Sequence, residues 1–375
     1  MLDLSKIREE LDELDTQFTQ LLEKRLELCK DVAEYKIETG KPVLDREREK
    51  EKIARAEEQV QGDFNKQCAR ALFVQMMSMS RRLQYSLAAK SGLGMKLPFT
   101  EVEELSKENC RVVYQGLEGA HTQAAMWQYF GEEVECYHVK HWNDVMKDIA
   151  DGKADYGVLP IENSTAGSVI DIYDLLVEYD NTIVAEQILP IRHALLALPG
   201  TKIEDIQNVY SHPQALMQSA GYLNAHCWQQ HEMLNTAIAA QKIVEDGDKT
   251  QAAVAGSYAA KVHNLEVLAD EINDQSVNST RFIVVTKKKI YRKHASKVSI
   301  CFELPHEKGT LYNILANIIY NDLNMTKIES RPLGDRNWEY RFFIDFEGNL
   351  NEDAVKNALT AIDSEAINLK ILGNY

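Results

Sequence analysis

Leu4, Ile7, Leu11, Leu14, Phe18 and Leu21 recur at steps of three and four, and the series resumes at Leu28, Val32 and Tyr35. That period is the apolar seam of one long amphipathic helix, and a seam of this length needs other helices to cover it. The position it skips is held by Arg25. A guanidinium on an apolar seam must be paired, because an unpaired buried charge is strongly destabilising. Its partner is either a neighbouring carboxylate or a bound anion. Lys36 returns to nearly the same face about 16 Å along the axis, so two long basic side chains can converge on one small ligand between them. Arg8 is roughly 25 Å from Arg25 and turned by about 100°. It cannot reach that ligand within its own chain. If it takes part, it does so from a second copy of the helix, in an intertwined dimer.

The helix stops at Thr39-Gly40-Lys41-Pro42, and Asp45 caps a second, charge-dense helix whose run from Arg46 to Lys52 reads as a solvated face. A third helix has its seam at Ala69, Phe73, Met76, Ser80, Leu83 and Leu87, with Gln84 one turn after Ser80. A serine in such a seam commonly bonds back to a carbonyl of its own helix. Together, Arg8, Arg25, Lys36, Asp45, Arg48, Glu49, Ser80 and Gln84 resemble the active-site set of the all-helical chorismate mutases, over residues 1–92. The resemblance implies interlocked protomers, with Arg8 of the partner, Arg25 and Lys36 on the two substrate carboxylates. It also implies Lys36 and Gln84 on the ether oxygen, Glu49 and Asp45 on the ring hydroxyl, and Arg48 and Ser80 as orienting groups. The Claisen rearrangement of chorismate to prephenate needs no nucleophile and no proton transfer. It needs the reactive chair held and the charge on the breaking ether oxygen stabilised, which a cationic, donor-rich pocket does.

Ser91-Gly92-Leu93-Gly94, Pro98 and the acidic stretch from Glu101 to Glu108 read as a linker. Gly92-x-Gly94 follows a helix and lacks a third glycine, so it is no dinucleotide fingerprint. From Arg111 the pattern changes to alternating strands and helices. The most informative stretch runs from Asp155 to Asp174, where an apolar strand, Tyr156 to Ile161, breaks at Glu162, Asn163, Ser164 and Thr165 before the helical pattern Val169, Ile170, Tyr173, Leu176. That reads as a strand feeding a helix N-terminus, either a plain capped start or an anion seat in which Gly167 lets backbone approach the ligand. Similar junctions stand at Gly116 to Thr122, Ser211 to Gln214, Gly256-Ser257 and Ser279-Thr280-Arg281. Such junctions fit an open α/β sheet with ligands gathered beyond the strand ends. An echo of Asp151 to Pro160 in Asp246 to Ala255 suggests two lobes.

Pro160-Ile161-Glu162-Asn163-Ser164-Thr165-x-Gly167 and Ser279-Thr280-Arg281-Phe282, supported by Gly116-x-x-Gly119-x-His121-Thr122 and Tyr210 to Gln214, resemble the prephenate dehydratases, over about residues 110–287. The resemblance implies a two-lobed α/β fold like the periplasmic binding proteins, with the site between the lobes. Converting prephenate to phenylpyruvate requires an acid for the departing ring hydroxyl and a seat for the side-chain carboxylate. The carboxylate lost as carbon dioxide must not be over-stabilised. On this resemblance Thr280 is the hydroxyl donor to the leaving group. Glu162, Asn163, Ser164 and Gln214 position the substrate, and Arg281 holds the loop or a carboxylate.

The basic run from Lys287 to His294 reads as a solvated hinge. Beyond it, strand, helix, strand, strand, helix, strand over residues 296–375 is the α+β ferredoxin-like order. This segment resembles an ACT domain, the amino-acid sensor of biosynthetic enzymes, with two effector-binding signatures. These are Glu329-Ser330-Arg331-Pro332, and Gly309-Thr310-Leu311 where the family usually has Gly-Ala-Leu. The Thr310 hydroxyl is an addition at a close-packed spot.

A formal net charge of −16 argues against nucleic acid or an anionic membrane as partner, and it requires that any anionic substrate be held by a local basic cluster. The six cysteines lie far apart with no metal-like spacing, so they read as reduced thiols. The first five residues carry no signal-peptide pattern, which with the absence of a membrane-length apolar run points to the cytoplasm. As a whole the chain resembles the family that joins a chorismate mutase to a prephenate dehydratase. Implied are chorismate and prephenate as substrates, phenylalanine as feedback inhibitor, a homodimer or larger assembly, and no metal or organic cofactor. The alternative is a non-catalytic sensor of aromatic metabolites, built from the α/β and ACT parts and dimerised by the helices.

Overall fold

A computed structural model describes residues 3–375 apart from Gly94, Ser276, Asp335 and Asn337, so Met1 and Leu2 and the second glycine of Gly92-x-Gly94 lie outside the described residues. The chain divides into two units. One joins Met1–Pro98 to Ser296–Ile371, and the other joins Phe99–Ala295 to Leu372–Tyr375.

In the first unit the three expected helices are Leu4–Thr39, Arg46–Glu58 and Asp63–Ala88. Asp3 caps the first by accepting from the Ser5 and Lys6 N–H groups, and Gly40 ends it in the left-handed region, at φ 67°, where a side chain would be strained. Asp45 caps the second helix by accepting from the Arg48 N–H at 3.1 Å. The third helix carries the core of this part, burying Met76, Met77 and Tyr85. The first helix is largely uncovered: Leu11, Leu14 and Leu21 are 52%, 59% and 67% exposed, and Ala33 is its buried residue.

The carboxy-terminal part of this unit runs as strand Lys297–Glu303, helix Thr310–Ile319, strands Met325–Pro332 and Tyr340–Glu347, helix Asp353–Glu365 and strand Ile367–Asn374. Across the sheet the order is Met325–Pro332, Tyr340–Glu347, Lys297–Glu303, Ile367–Asn374, the ferredoxin-like arrangement. Its helix Asp353–Glu365 packs on the third helix of the helical part.

The second unit holds two lobes, each built on a five-strand run of sheet with flanking helices. One has the order Thr182–Pro190, Ser279–Thr286, Tyr156–Asn163, Arg111–Gln115, Glu135–Val139. The other runs Glu266–Ala269, Ala194–Ala197, Gln251–Ala255, Asn208–Ser211, Gln229–Glu232. Each lobe has its own core, Val112, Tyr114, Val158 and Phe282 in the first and Leu196, Ala240, Ile243 and Ala253 in the second.

Two expectations are corrected here. The Glu162 to Thr165 junction is not a helix start. The strand continues through Asn163, turns, and returns as Gly167–Ser168 in a small hairpin, and the helix begins only at Ile170. The reason is local: the Asn163 side-chain oxygen accepts from the Thr165 and Ala166 N–H groups at 3.0 and 2.9 Å, closing an Asx turn in place of a helix cap. Nor are the acidic linker and the basic hinge separate loose segments. Thr100–Val102 and Ile290–Arg292 pair as parallel strands, and Lys293 meets Glu103 at 2.7 Å. Complementary charge and the burial of Tyr291 hold them together.

Candidate active sites

In the second unit a cavity of about 200 Å³ is lined by His121, Asn163, Ile191, His193, His212, Gln214, Ala215, Gln218, Asn235, Thr236, Asn278 and Thr280. Asn163 and Thr280 face each other because their strands pair antiparallel in register. The Asn163 amide donates to Thr280 Oγ1 at 2.9 Å and to Asn278 Oδ1 at 2.9 Å. Since the Asn163 carbonyl oxygen is fixed by the two turn N–H groups, the orientation of this amide is set by the backbone. Thr280 Oγ1 therefore accepts from Asn163 and keeps its own hydrogen to donate elsewhere.

Of the residues expected from sequence, Asn163, Gln214 and Thr280 come together in this cavity, while Glu162, Ser164 and Arg281 are not among its lining residues. Strand alternation explains two of them: neighbours of Asn163 and Thr280 point to the opposite face. There Arg281 pairs with Glu162 at 3.1 Å and with Glu186 at 3.4 Å. Ser164 Oγ accepts from the Ser279 N–H at 3.0 Å, tying the turn to the strand. The expected local basic cluster is absent: among the described residues no Lys or Arg lines the cavity.

Sequence reasoning missed His193 and Asn278 as lining residues. His193 is 2% exposed, and its Nε2 lies 2.9 Å from Gln218 Oε1, so Nε2 carries the proton and Nδ1 is a bare acceptor with no partner among the described residues. Asn278 Nδ2 is likewise buried without a partner. Burial lowers the pKa of His193, against the raising effect of Gln218, and burial together with nearby His193 pushes His121 down to about 3. Both imidazoles are neutral. His121 also bonds the Tyr258 hydroxyl, whose own pKa burial raises well above the ordinary value. His121 stands in the motif from Gly116 to Thr122, but His193, Gln218 and Tyr258 lie outside all of the motifs, so no local signal marked those three.

In the helical part, Arg25 Nη1 donates to Ser80 Oγ at 2.6 Å and to the Met76 carbonyl at 3.3 Å. Its partners are thus neutral oxygens of the third helix, and among the described residues no carboxylate pairs with it. Ser80 also bonds back to Met76, as a seam serine does. Lys36 donates to the Val43 carbonyl at 2.6 Å; burial lowers its pKa, opposed by Asp45 and Glu49 nearby. Gln84 is buried, with Oε1 unpartnered. Glu49 takes two hydrogen bonds from Arg81 Nη1, at 2.7 and 2.6 Å. Arg48 is exposed and 3.9 Å from Glu51, and Arg8 is exposed near the far end of the first helix. Arg81 is the residue that sequence reasoning overlooked here. A charge among seam residues reads as surface until its carboxylate partners are known.

In the carboxy-terminal part a cavity of about 390 Å³ is lined by Thr310 and Leu311 with Pro305, Trp338 and Tyr340 among others. The Thr310 hydroxyl is tied to the Glu307 and Pro305 carbonyls at 3.1 and 3.3 Å, so it does not enter the cavity as a bare group. Gly309 caps the helix without lining the cavity, and Glu329, Ser330, Arg331 and Pro332 are not among its lining residues but stand on the edge strand beside it, Ser330 and Pro332 pairing with the lining Phe342 and Tyr340.

Comparison with known proteins matches the chain to both chemistries. Residues 7–85 match the family chorismate mutase type II, and residues 112–290 match prephenate dehydratase. A bifunctional chorismate mutase/prephenate dehydratase of Pseudomonas aeruginosa is 31% identical over 99% of this chain and 97% of its own length. Among solved structures, a prephenate dehydratase from Arthrobacter aurescens in complex with L-Phe superposes with a TM-score of 0.66 at 28% identity, covering 71% of this chain and 89% of that one. A protein described as a novel type of quorum-quenching acylase gives 0.67 at 28% identity, covering 71% and 97%. With one continuous relationship spanning the helices and the two-lobed unit, the chain belongs to the bifunctional chorismate mutase/prephenate dehydratases, catalysing the rearrangement of chorismate to prephenate and its conversion to phenylpyruvate.

Proposed function

We propose that Thr280 is the hydroxyl donor to the leaving group in the dehydratase reaction. The observation that carries this reading is the Asn163 bond to Thr280 Oγ1 at the cavity wall, which leaves the threonine hydrogen available to donate to a ligand. As the bond to the carboxylate breaks, its electron pair aromatises the ring and the ring hydroxyl leaves. Thr280 donates to that oxygen as its charge develops. Neutral donors, Gln214 and Asn278, seat the side-chain carboxylate. A cavity without fixed cations suits the carboxylate that is lost, because strong ion pairing would stabilise the ground state most. Asn163 orients Thr280, Ser164 ties down the turn, and the Glu162–Arg281 pair braces the strands from behind.

The mutase site lies in residues 1–92, the dehydratase in 110–287 and an ACT domain in 296–375. Arg25, Lys36 and the partner copy's Arg8 bind the chorismate carboxylates. Lys36 and Gln84 stabilise the ether oxygen, Glu49 and Asp45 hold the ring hydroxyl, and Arg48 and Ser80 orient. The uncovered seam of the first helix supports a homodimer, since so long an apolar stripe is seldom left to water. Phenylalanine is the effector of the ACT domain, received near Thr310 and Leu311, with Gly309 shaping the turn and Glu329, Ser330, Arg331 and Pro332 completing the site from the edge strand. Among the described residues no helix is long and apolar enough to cross a membrane, and the well-separated thiols fit a cytoplasmic location. A sensor that only binds has no need of a donor-oriented Thr280.

The test is a coupled assay of both activities on Lys36→Ala and Thr280→Ala. Each is expected to remove one activity and spare the other. Loss of both from a single folded variant would refute the two-site assignment.

A further inference from the structure

Arg81 stands where the helical part meets the ferredoxin-like part of the first unit. Its side chain is 9% exposed, and it holds two carboxylates at once. Nη1 donates to both oxygens of Glu49, and Nε donates to Glu365 Oε1 at 3.1 Å. Glu365 is itself 10% exposed and ends the helix Asp353–Glu365. The main chain adds a second tie, because the Glu365 carbonyl accepts from Arg46 Nη2 at 3.2 Å, and Arg46 opens the helix that carries Glu49. Around this point the two parts are fastened by Gln75, which donates to the Tyr312 hydroxyl and accepts from the Tyr320 hydroxyl, both at 2.6 Å.

A guanidinium is planar and rigid, so fixing its Nε edge fixes the direction of its Nη1 hydrogens. Glu365 is placed to do the first and Glu49 receives the second. Arg81 occupies about two of the roughly four lone-pair sites of the Glu49 carboxylate and leaves the others for a ligand. Resting on the reading of Glu49 as a mutase substrate-binding residue, we propose that Arg81 and Glu365 are positioning residues for the mutase reaction. The ferredoxin-like domain sets the angle of the Glu49 carboxylate through the Arg81 guanidinium, so that full mutase turnover requires a residue more than three hundred positions away in the chain.

The experiment is a double-mutant cycle in the full-length protein with Glu365→Ala, Glu49→Ala and the double variant, plus Glu365→Gln, assayed for both activities. Glu365→Ala is expected to lower mutase kcat/KM about tenfold, chiefly through kcat, with dehydratase activity unchanged in the same preparation. Glu365→Gln retains an acceptor for the Arg81 Nε hydrogen and should restore most of the loss. In the Glu49→Ala background Glu365→Ala should have no further effect, which a merely structural role would not produce. An equal loss with and without Glu49 overturns the proposal, as does a normal Glu365→Ala mutase alongside an impaired Glu49→Ala. A normal Glu49→Ala mutase sinks the reading of Glu49 itself and the proposal with it.

Discussion

The amide of Asn163 donates to the hydroxyl oxygen of Thr280 at 2.9 Å, while the carbonyl oxygen of the same amide is pinned by two backbone N–H groups. Donor and acceptor ends of Asn163 therefore do different jobs. Asn163→Asp keeps the turn but replaces the donor by an acceptor, which would draw the Thr280 hydrogen back from the substrate. Dehydratase kcat should fall by about 10²–10³, the range for losing one aimed donor, while Thr280→Ser keeps most activity. Steady-state assays of phenylpyruvate formation check this, and an active Asn163→Asp enzyme would contradict it.

His121 and His193 are both held neutral by burial, with His121 down to about 3. His121 does not gain a proton as the pH falls through the ordinary imidazole range, and His193 gains one only below its ordinary value, so dehydratase kcat/KM should show no limb at 6.5 from either group. A limb there that vanishes in His193→Asn would show that this imidazole titrates. The His193→Asn variant should nonetheless lose about tenfold in kcat/KM, through removal of the bare Nδ1 acceptor at the cavity wall.

If Arg8 serves the partner's site, variants impaired in different contributions should complement. Arg8→Ala and Lys36→Ala are each expected to be poor mutases. Unfolded together and refolded at equal concentration, they should recover about a quarter of the parental mutase activity, because half the dimers are mixed and each restores one intact site. No recovery, with dimers confirmed by sedimentation, would rule out a contribution of Arg8 to the partner's site, and a fully active Arg8→Ala would place it outside the site.

Burial raises the pKa of Glu365 although Arg81 pulls it down. For a carboxyl raised on folding, the unfolded chain ionises first as the pH rises through 4.5, so folding carries a penalty that is absent below that value and complete above the raised one. At Arg81 the pKa is also raised, but there the ion pairs win over burial. Burial alone would lower its pKa, but Glu365 and Glu49 outweigh that and raise it. Glu365→Gln removes the carboxyl penalty, so its stability relative to the parent should be greater at neutral pH than at pH below 4.5. Urea unfolding at the two values measures the difference; the reverse trend would mean that the ion pair outweighs the burial.

Much of this could be read directly from residues. The first-helix seam, the stop at Gly40 and the cap Asp45 located the helical part, and the strand and helix pattern located the ferredoxin-like order. What failed had a common cause, in that the deciding partner was distant in sequence. The strand Thr100–Val102 forms only against Ile290–Arg292, and an acidic stretch seen alone looks like a linker. Asn163 looked like part of a helix start because an Asx turn and an N-cap use the same residue types. Glu162 and Arg281 share motifs with Asn163 and Thr280 yet are not among the lining residues of the cavity, because a motif records neighbours and strand neighbours face opposite ways. His193, Asn278 and Arg81 matter through burial, which no local pattern reveals.

The dehydratase cavity, with polar amides and neutral imidazoles but no lysine or arginine among its described walls, has a further consequence for capture. Prephenate approaching a molecule of net charge −16 meets repulsion at long range and no lysine or arginine among the described lining of the cavity. Ionic strength should therefore help: added salt shortens the reach of the repelling field to about 10 Å at 0.1 M and weakens none of the short dipolar contacts inside. Dehydratase kcat/KM is expected to hold or rise with potassium chloride, while the mutase, on the proposal that Arg25 and Lys36 bind its substrate, is expected to lose efficiency over the same titration. One polypeptide would then answer the same electrolyte in opposite directions at its two stations.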